Sequence, residues 1–135
     1  NIVIYSTEKT KALGYRFKSQ LSENAKILSY YHILPELNHN EIESYDNILN
    51  QNLFIIWLYD QDDNVKTLNR IESSIEVLNH IDHYKLSVDG DTYSLRQFKL
   101  LYFLDLVSYY LALFYKTDPY PVNKINQLKE LLKKS

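Results

Sequence analysis

Hydrophobic and polar positions follow two rhythms along the chain. Ile2-Val3-Ile4-Tyr5 and Asn52-Leu53-Phe54-Ile55-Ile56-Trp57-Leu58-Tyr59 are continuous β-favouring runs, the pattern of strands buried on both faces of a parallel sheet. The second is expected at the sheet's centre. Ser6-Thr7-Glu8 closes the first run with hydroxyls and an acid suited to a helix N-terminus. From residue 8 to about residue 28, Leu13, Phe17, Leu21 and Ala25 recur every four positions, which predicts an amphipathic helix. Arg16, Gln20 and Glu23 share its polar side.

Pro35-Glu36-Leu37-Asn38-His39-Asn40-Glu41 is dense in polar and turn-forming residues and reads as a loop entering a short helix or turn. Val65, Leu68, Ile71, Ile75 and Leu78 predict a second amphipathic helix, with Asp62 or Asp63 as its cap. Residues 84–88 alternate like a strand and end at the turn Asp89-Gly90. Ser94 and Gln97 form a capping-box pattern at the head of a long apolar helix reaching about residue 116. Thr117-Asp118-Pro119-Tyr120-Pro121 breaks that helix. Pro121 suits the first position of a last one, whose apolar face is Ile125, Leu128, Leu131 and Leu132. Strands alternating with helices of these lengths predict an α/β three-layer sandwich, a mostly parallel sheet with helices on both faces.

At 135 residues the chain is expected to form a single domain over 1–135. The formal charge of −2 supplies no field for nucleic acid or anionic lipid, although residues 129–134 are locally basic. With no cysteine, disulfides, thiolate metal sites and cysteine nucleophiles are excluded, and a reducing cytoplasm is the natural setting. No methionine occurs and the first residue is Asn1, so the chain is expected to come from a longer product with a missing partner domain. The apolar stretch 100–115 is interrupted by Asp105 and Ser108 and falls short of the about 20 residues that cross a bilayer. It is expected to be a buried helix, and no signal peptide is visible at residues 1–5.

Acid, amide and imidazole groups concentrate in Ser22-Glu23-Asn24-Ala25-Lys26 and in residues 36–41. A single Glu on a helix's polar face is ordinarily a solvated surface group, and a single loop His is ordinarily a polar surface group. Both segments are expected at the ends of elements bordering the first strand, and open parallel sheets bind ligands beyond their strands' carboxyl ends. Arg16, Lys18 and Lys26 could face a phosphate, although a mixed-charge helix surface is the commoner meaning. The four histidines, His32, His39, His80 and His83, show no zinc-like spacing. His80 and His83 fit a helix end.

Tyr15-Arg16-Phe17-Lys18-Ser19-Gln20-Leu21-Ser22-Glu23-Asn24-Ala25-Lys26 followed by Leu34-Pro35-Glu36-Leu37-Asn38-His39-Asn40-Glu41-Ile42 resembles the signature of the bifunctional phosphoglucose/phosphomannose isomerases. Those proteins carry two sugar isomerase (SIS) domains, and the resemblance is to the second. It extends through Asp105-Leu106-Val107-Ser108-Tyr109-Tyr110-Leu111-Ala112 to Asp118-Pro119, Pro121-Val122 and Ile125, Leu128, Lys129. Ser22, Phe17 and Ile27 stand where the family pattern has Asn, Trp and Pro.

The resemblance implies an aldose–ketose isomerase of glucose 6-phosphate or mannose 6-phosphate and fructose 6-phosphate, working through a cis-enediol without cofactor or metal. It makes Glu23 the base between carbons 1 and 2 and His39 the ring-opening group. Lys129 fits the family's C-terminal lysine, with Lys124 a near alternative, and Lys129 or Arg16 could stabilise charge on the enediol oxygens. It also implies partners: an N-terminal SIS domain, which carries the family's Ser/Thr-rich phosphate loops, and a second copy, since the family site takes a histidine from the neighbouring subunit. The rival expectations are a non-catalytic sugar-phosphate-sensing domain and a purely structural dimerisation domain built on the Tyr-rich helix 100–115. Many of the 13 tyrosines would then lie at subunit contacts.

Overall fold

Two apolar runs set the frame of the fold. In the computed structural model, which describes residues 1–46 and 53–133, they become β1 (Ile2–Ser6) and β3 (Phe54–Leu58). The two lie side by side, parallel, with Ile2 opposite Phe54 and Ser6 opposite Leu58. β2 (Ser29–Ile33) flanks β1 and β4 (Asp82–Leu86) flanks β3, both parallel, so the order is β2-β1-β3-β4. β3 is central, as its sequence predicts. β4 starts two residues earlier than the alternation at 84–88 predicts, and β2 corresponds to no predicted element. As edge strands, Ser-Tyr-Tyr-His-Ile and Asp-His-Tyr-Lys-Leu carry polar groups that would not suit a central strand.

Alternation of side chains gives the sheet two apolar faces. On one, Val3, Tyr5, Ile55 and Trp57 pack with Leu34, Leu37, Tyr45, Ile71 and Leu78. On the other, Ile4, Leu58 and Leu86 pack with Phe17, Leu21, Leu100 and Leu104. The first face is therefore covered by α2 (Val65–Val77) and by two 3-10 turns at Glu36–His39 and Glu41–Asp46. The second is covered by α1 (Lys11–Glu23) and α3 (Tyr93–Phe114). This is the three-layer α/β arrangement expected, closed by a short α4 (Asn123–Leu132) that buries none of its residues.

Element ends depart from the sequence expectations for local reasons. α1 stops at Glu23 because the chain must turn back to start β2 at Ser29. Asn64 caps α2, accepting from the Thr67 amide at 2.9 Å. Asp62 and Asp63 instead fold the preceding loop, Asp63 taking the Asp60 amide at 2.8 Å. Thr92 caps α3 through the Leu95 amide at 3.2 Å, leaving Ser94 inside the helix. Pro121 precedes α4, whose cap is Val122.

The largest departure is α3. Its buried stripe, Arg96, Leu100, Leu104, Ser108 and Ala112, repeats every four residues, but its outer surface is uncovered, with Phe98 and Tyr102 each 68% exposed and Phe114 78%. At 22 residues α3 is also long and apolar enough to cross a membrane by length and composition. It is docked by one stripe and is not the buried helix expected.

Arg96 anchors that stripe. Its guanidinium bonds Asp60 twice, Nε to Oδ2 at 3.0 Å and Nη2 to Oδ1 at 2.8 Å, and both side chains are about 3% exposed or less. Nη1 takes the Gly90 carbonyl at 2.8 Å and Nη2 also reaches Asp62. Burial disfavours the ionised Asp60, but hydrogen bonding to Arg96 and the Asp62 amide outweighs it and holds the carboxyl below its ordinary range. At the same edge the Leu58 carbonyl accepts the Thr7 amide at 3.1 Å and the Thr10 hydroxyl at 2.7 Å. Near the point where the strand order reverses, these polar groups are thus bonded to the chain itself.

Two outcomes follow from this packing. Gly14 lets α1 lie directly on β1 and β2, because a Cβ there would stand 2.1 Å from Ser6 Oγ and 2.6 Å from the Tyr31 ring. Gly14→Ala is therefore expected to destabilise by about 1–3 kcal/mol despite its better helix propensity, read from the urea midpoint. Because Asp60's folded pKa is depressed, its contribution is present above the unfolded carboxylate value and is lost as pH falls through the folded one. Asp60→Ala should cost about 3–5 kcal/mol at neutral pH by leaving Arg96 buried without its main partner. It should also flatten the acid limb of stability against pH.

Candidate functional site

α1 and α3 run back along the sheet from the strands' carboxyl ends, so the last residue of α1, Glu23, lies at the amino edge. The expectation that its segment borders the carboxyl ends is corrected here: α1 must return to the start of β2. Just beyond Glu23 the chain reverses. The Ile27 amide bonds the Leu21 carbonyl at 3.0 Å, Ala25 is buried, and Lys26 takes a left-handed φ of 58°, which is uncommon for a residue with a side chain. The Lys26 ammonium donates to the Glu23 carbonyl and, at 2.8 Å, to the Pro121 carbonyl.

The opposite wall comes from the end of α3. Lys116, with φ 53°, terminates it: the Lys116 amide bonds Leu113 at 3.0 Å and the Thr117 amide bonds Ala112 at 2.8 Å, a Schellman turn. The chain then crosses toward α1. A recess of about 560 Å³ opens between Ser22, Glu23 and Lys26 on one side and Pro121, Lys124 and Ile125 on the other. Lys124 therefore shares a cavity with Glu23. Lys129 stands one turn beyond Ile125 on the same face of α4 and is not among the lining residues. Arg16, two turns before Glu23, donates to Asp105 of α3 at 3.2 Å. Asn24 donates to buried Ser108 at 2.9 Å, so a polar seam joins α1 to α3 above the recess.

His39 lies elsewhere. Leu37, two residues before it, is fully buried against Tyr5 and Trp57, on the face opposite Phe17 and Leu21 of α1. The sheet therefore separates His39 from Glu23, and one chain does not bring them together. The residues around His39 are each tied. Asn38 donates to Ser74 Oγ at 2.8 Å, and its Oδ1 is buried without a partner among the described residues. The Asn40 amide group donates to Glu36 at 3.1 Å while its Oδ1 accepts the Glu41 backbone N–H at 2.6 Å. Glu41 accepts the Tyr5 hydroxyl at 2.8 Å, and Tyr5 also bonds the Tyr45 hydroxyl.

The other histidines are absorbed by the fold. His83 accepts from the Trp57 indole at Nδ1, 3.1 Å, and pairs through Nε2 with the Leu78 carbonyl at the end of α2, 2.9 Å. His80 reaches the Tyr45 carbonyl at 3.4 Å, and His32 Nδ1 accepts the Ile33 amide at 2.9 Å. Among the described residues the exposed His39 ring has no hydrogen-bond partner, and no group of three or more His, Cys, Asp or Glu could hold a metal. The pairing of Tyr5 with Tyr45 and Glu41 escapes sequence reading, because the two tyrosines are 40 positions apart and look like ordinary core residues.

The chain matches, over residues 1–132, the family described as the bacterial phospho-glucose isomerase C-terminal SIS domain. It is 35% identical over 135 residues to the bifunctional phosphoglucose/phosphomannose isomerase of Aquifex aeolicus (strain VF5), covering 98% of this chain and 42% of that protein. With the protein of the same name from Caldicellulosiruptor bescii it shares 38% identity over 133 residues, covering 91% of this chain and 38% of that one. The chain thus spans about two fifths of the length of these curated relatives. A glucose-6-phosphate isomerase like protein from Thermus thermophilus superposes with a TM-score of 0.65 at 18% identity, over 96% of this chain and 43% of that one. The C-terminal domain of glucosamine-fructose-6-phosphate aminotransferase from Francisella tularensis does so with 0.62 at 17%, over 87% and 36%. At these identities the two structures show a shared fold.

The tyrosine cluster makes its own prediction. Burial first, and then the charge of Glu41, push the Tyr45 hydroxyl up to about 12, and burial with both neighbours pushes Tyr5 higher still. Since both folded values are raised, their contribution is complete below the unfolded tyrosine value near 10 and is lost as pH rises through the folded ones. Stability should fall between pH 10 and about 12, and Tyr45→Phe should weaken that alkaline slope in urea titrations followed by circular dichroism.

Proposed function

The chain belongs to the bacterial phospho-glucose isomerase C-terminal SIS domain family, and from that membership we propose that it supplies one side of an aldose–ketose isomerase site for 6-phosphosugars. The substrates are glucose 6-phosphate or mannose 6-phosphate, interconverted with fructose 6-phosphate. Glucose and mannose differ only at carbon 2, and loss of its proton to a cis-enediol erases that difference, so one base can serve both sugars. Glu23 is that base, taking the proton from carbon 2 and returning it to carbon 1. Lys124 or Lys129, together with Arg16, stabilises the negative charge that develops on the enediol oxygens. Arg16 must then share its guanidinium with Asp105 or leave it. His39 moves the ring oxygen's proton in the preceding ring opening. No metal or cofactor enters this scheme.

The observation that carries the reading is the separation of the two motifs. Glu23 opens into a recess faced by Lys124, while His39 is held on the far side of the sheet by Leu37, Asn38 and Asn40. A catalytic role for both residues then requires two copies, each lending His39 to the other's Glu23, and so a homodimer. The uncovered face of α3 supports further contacts, including one with an N-terminal SIS domain, which would bring the family's phosphate-binding loops. The setting proposed is the cytoplasm.

In the two-domain protein, Glu23→Gln is expected to lower kcat about 10²–10⁴-fold while sugar-phosphate binding by calorimetry persists. Mixing that variant with His39→Ala tests the sharing directly. Exchanged dimers hold one site with both lesions and one with neither, so activity should return on mixing. Wild-type turnover by Glu23→Gln would remove the isomerase reading in favour of a sugar-phosphate sensor. Loss of activity without recovery on mixing would place both residues in one chain's site.

A further inference from the structure

We infer that Tyr5 is a positioning residue for His39, acting through a hydrogen-bonded chain from Tyr45 to Tyr5 to Glu41 that ties the His39 segment to the central strand. The inference rests on reading His39 as the ring-opening group, and it adds two tyrosines that neither the motifs nor the recess point to.

The geometry fixes the direction of the chain. A tyrosine hydroxyl has one proton to give. Tyr5 gives its proton to Glu41 Oε1 at 2.8 Å, so the bond between the two hydroxyls must run from Tyr45 to Tyr5. Tyr5 belongs to β1, paired on both sides, and is fully buried. Its ring is braced by Trp57, with centroids 4.9 Å apart. The hydroxyl is therefore a fixed point, and what it holds is Glu41, two residues after His39. Glu41 in turn fixes Asn40 through its backbone N–H, and Asn40 closes back on Glu36. On the other flank Asn38 is held by Ser74, whose hydroxyl is itself bound to the Arg70 carbonyl at 2.8 Å.

His39 is thus exposed between two pinned neighbours, and on the Glu41 side the tie to the sheet is the Tyr5 hydroxyl. Removing the Tyr5 hydroxyl releases Glu41, frees Asn40 and strands the Tyr45 proton without an acceptor. A small displacement of an imidazole that must meet a sugar bound by another copy is enough to slow proton transfer substantially.

The test compares fructose 6-phosphate, which must be ring-opened, with 5-deoxyfructose 6-phosphate, which lacks the ring-forming hydroxyl and is acyclic. In the full-length two-domain protein, Tyr5→Phe and Glu41→Ala should each lower kcat for fructose 6-phosphate about tenfold to a hundredfold, with KM and the acyclic substrate unchanged. Glu41→Gln, whose amide oxygen still accepts the Tyr5 proton, should restore most of the rate. His39→Asn serves as the reference for the loss of ring opening. Equal losses on both substrates in Tyr5→Phe, while His39→Asn still discriminates between them, would overturn the inference and leave Tyr5 merely structural. If His39→Asn itself fails to discriminate, the ring-opening reading falls and this inference falls with it. Should Tyr5→Phe not fold, the Glu41 pair decides: a Gln variant as impaired as the Ala variant overturns the positioning role.

Discussion

The end of this fold that carries the Glu23 recess depends on one buried ion pair at its other end. Arg96 and Asp60 sit where β3 leaves the sheet, both almost fully buried, with two hydrogen bonds between them. A buried charge pair is a weak source of net stability but a strict specifier of geometry, because any other register leaves an unpaired charge inside. Here it sets how far α3 slides along the sheet. From Arg96 the buried positions Leu100, Leu104, Ser108 and Ala112 step down one face, covering about 24 Å at 1.5 Å per residue. They deliver Ser108 to Asn24 and the loop after α3 to Glu23. A shift of one turn at the ion pair would break the Ser108–Asn24 bond and move that loop off the recess.

At the usual ligand position of an open parallel sheet this pair and its neighbours make structural bonds. Beyond the carboxyl ends of β1 and β3, Thr7, Thr10, Asp60 and Arg96 bond one another or the Leu58 carbonyl. The general rule for parallel sheets therefore misplaces Glu23, which stands at the amino edge, at the carboxyl end of a helix. His39 does follow β2, but on the opposite face from α1. The two segments lie on opposite faces of the sheet, an arrangement suited to a surface completed by neighbours.

Much of the fold was legible because β1 and β3 are short continuous apolar runs and α1 and α2 carry a helical period. The continuous apolar run at 53–58 could only be central, and the four-residue stripe of Phe17 and Leu21 could only be a helix. β2 was not legible, because Ser29-Tyr30-Tyr31-His32-Ile33 is an edge strand with one half-wet face and no strict alternation. The caps fall a few residues from their expected positions, since which hydroxyl or amide caps a helix depends on loop geometry: Asp62 and Asp63 are drawn to Arg96 and to the Asp60 amide, leaving the cap to Asn64. α3 misleads for a different reason. A helix apolar all round is expected to be buried, but the sequence does not say by what, and within this chain only one stripe is covered. At the candidate site, Glu23 and His39 stand out as motif residues and Lys124 as the alternative to Lys129, whereas the Tyr5 and Tyr45 hydroxyls require the tertiary structure to meet.

Backbone strain supplies a separate line of argument for where function concentrates. Among the described residues two without a glycine's freedom adopt left-handed φ, Lys26 and Lys116, at a cost of about 1–2 kcal/mol each. Lys26, just beyond α1, lines the Glu23 recess, and Lys116 closes α3 one residue before Thr117, which lines it. Neither of the chain's two glycines, Gly14 and Gly90, has positive φ, so the residue type best suited to such turns is used elsewhere. At position 26 the reason is visible: a glycine would ease the turn but would lose the ammonium that joins the Glu23 and Pro121 carbonyls across the recess. The cross-link that holds the two walls together is thus made by the same residue that bears the strain. Strained residues persist where the surroundings over-determine them, and they gather at ligand clamps and active sites. Here the two turns end α1 and α3 and set the loop after α3 against the end of α1.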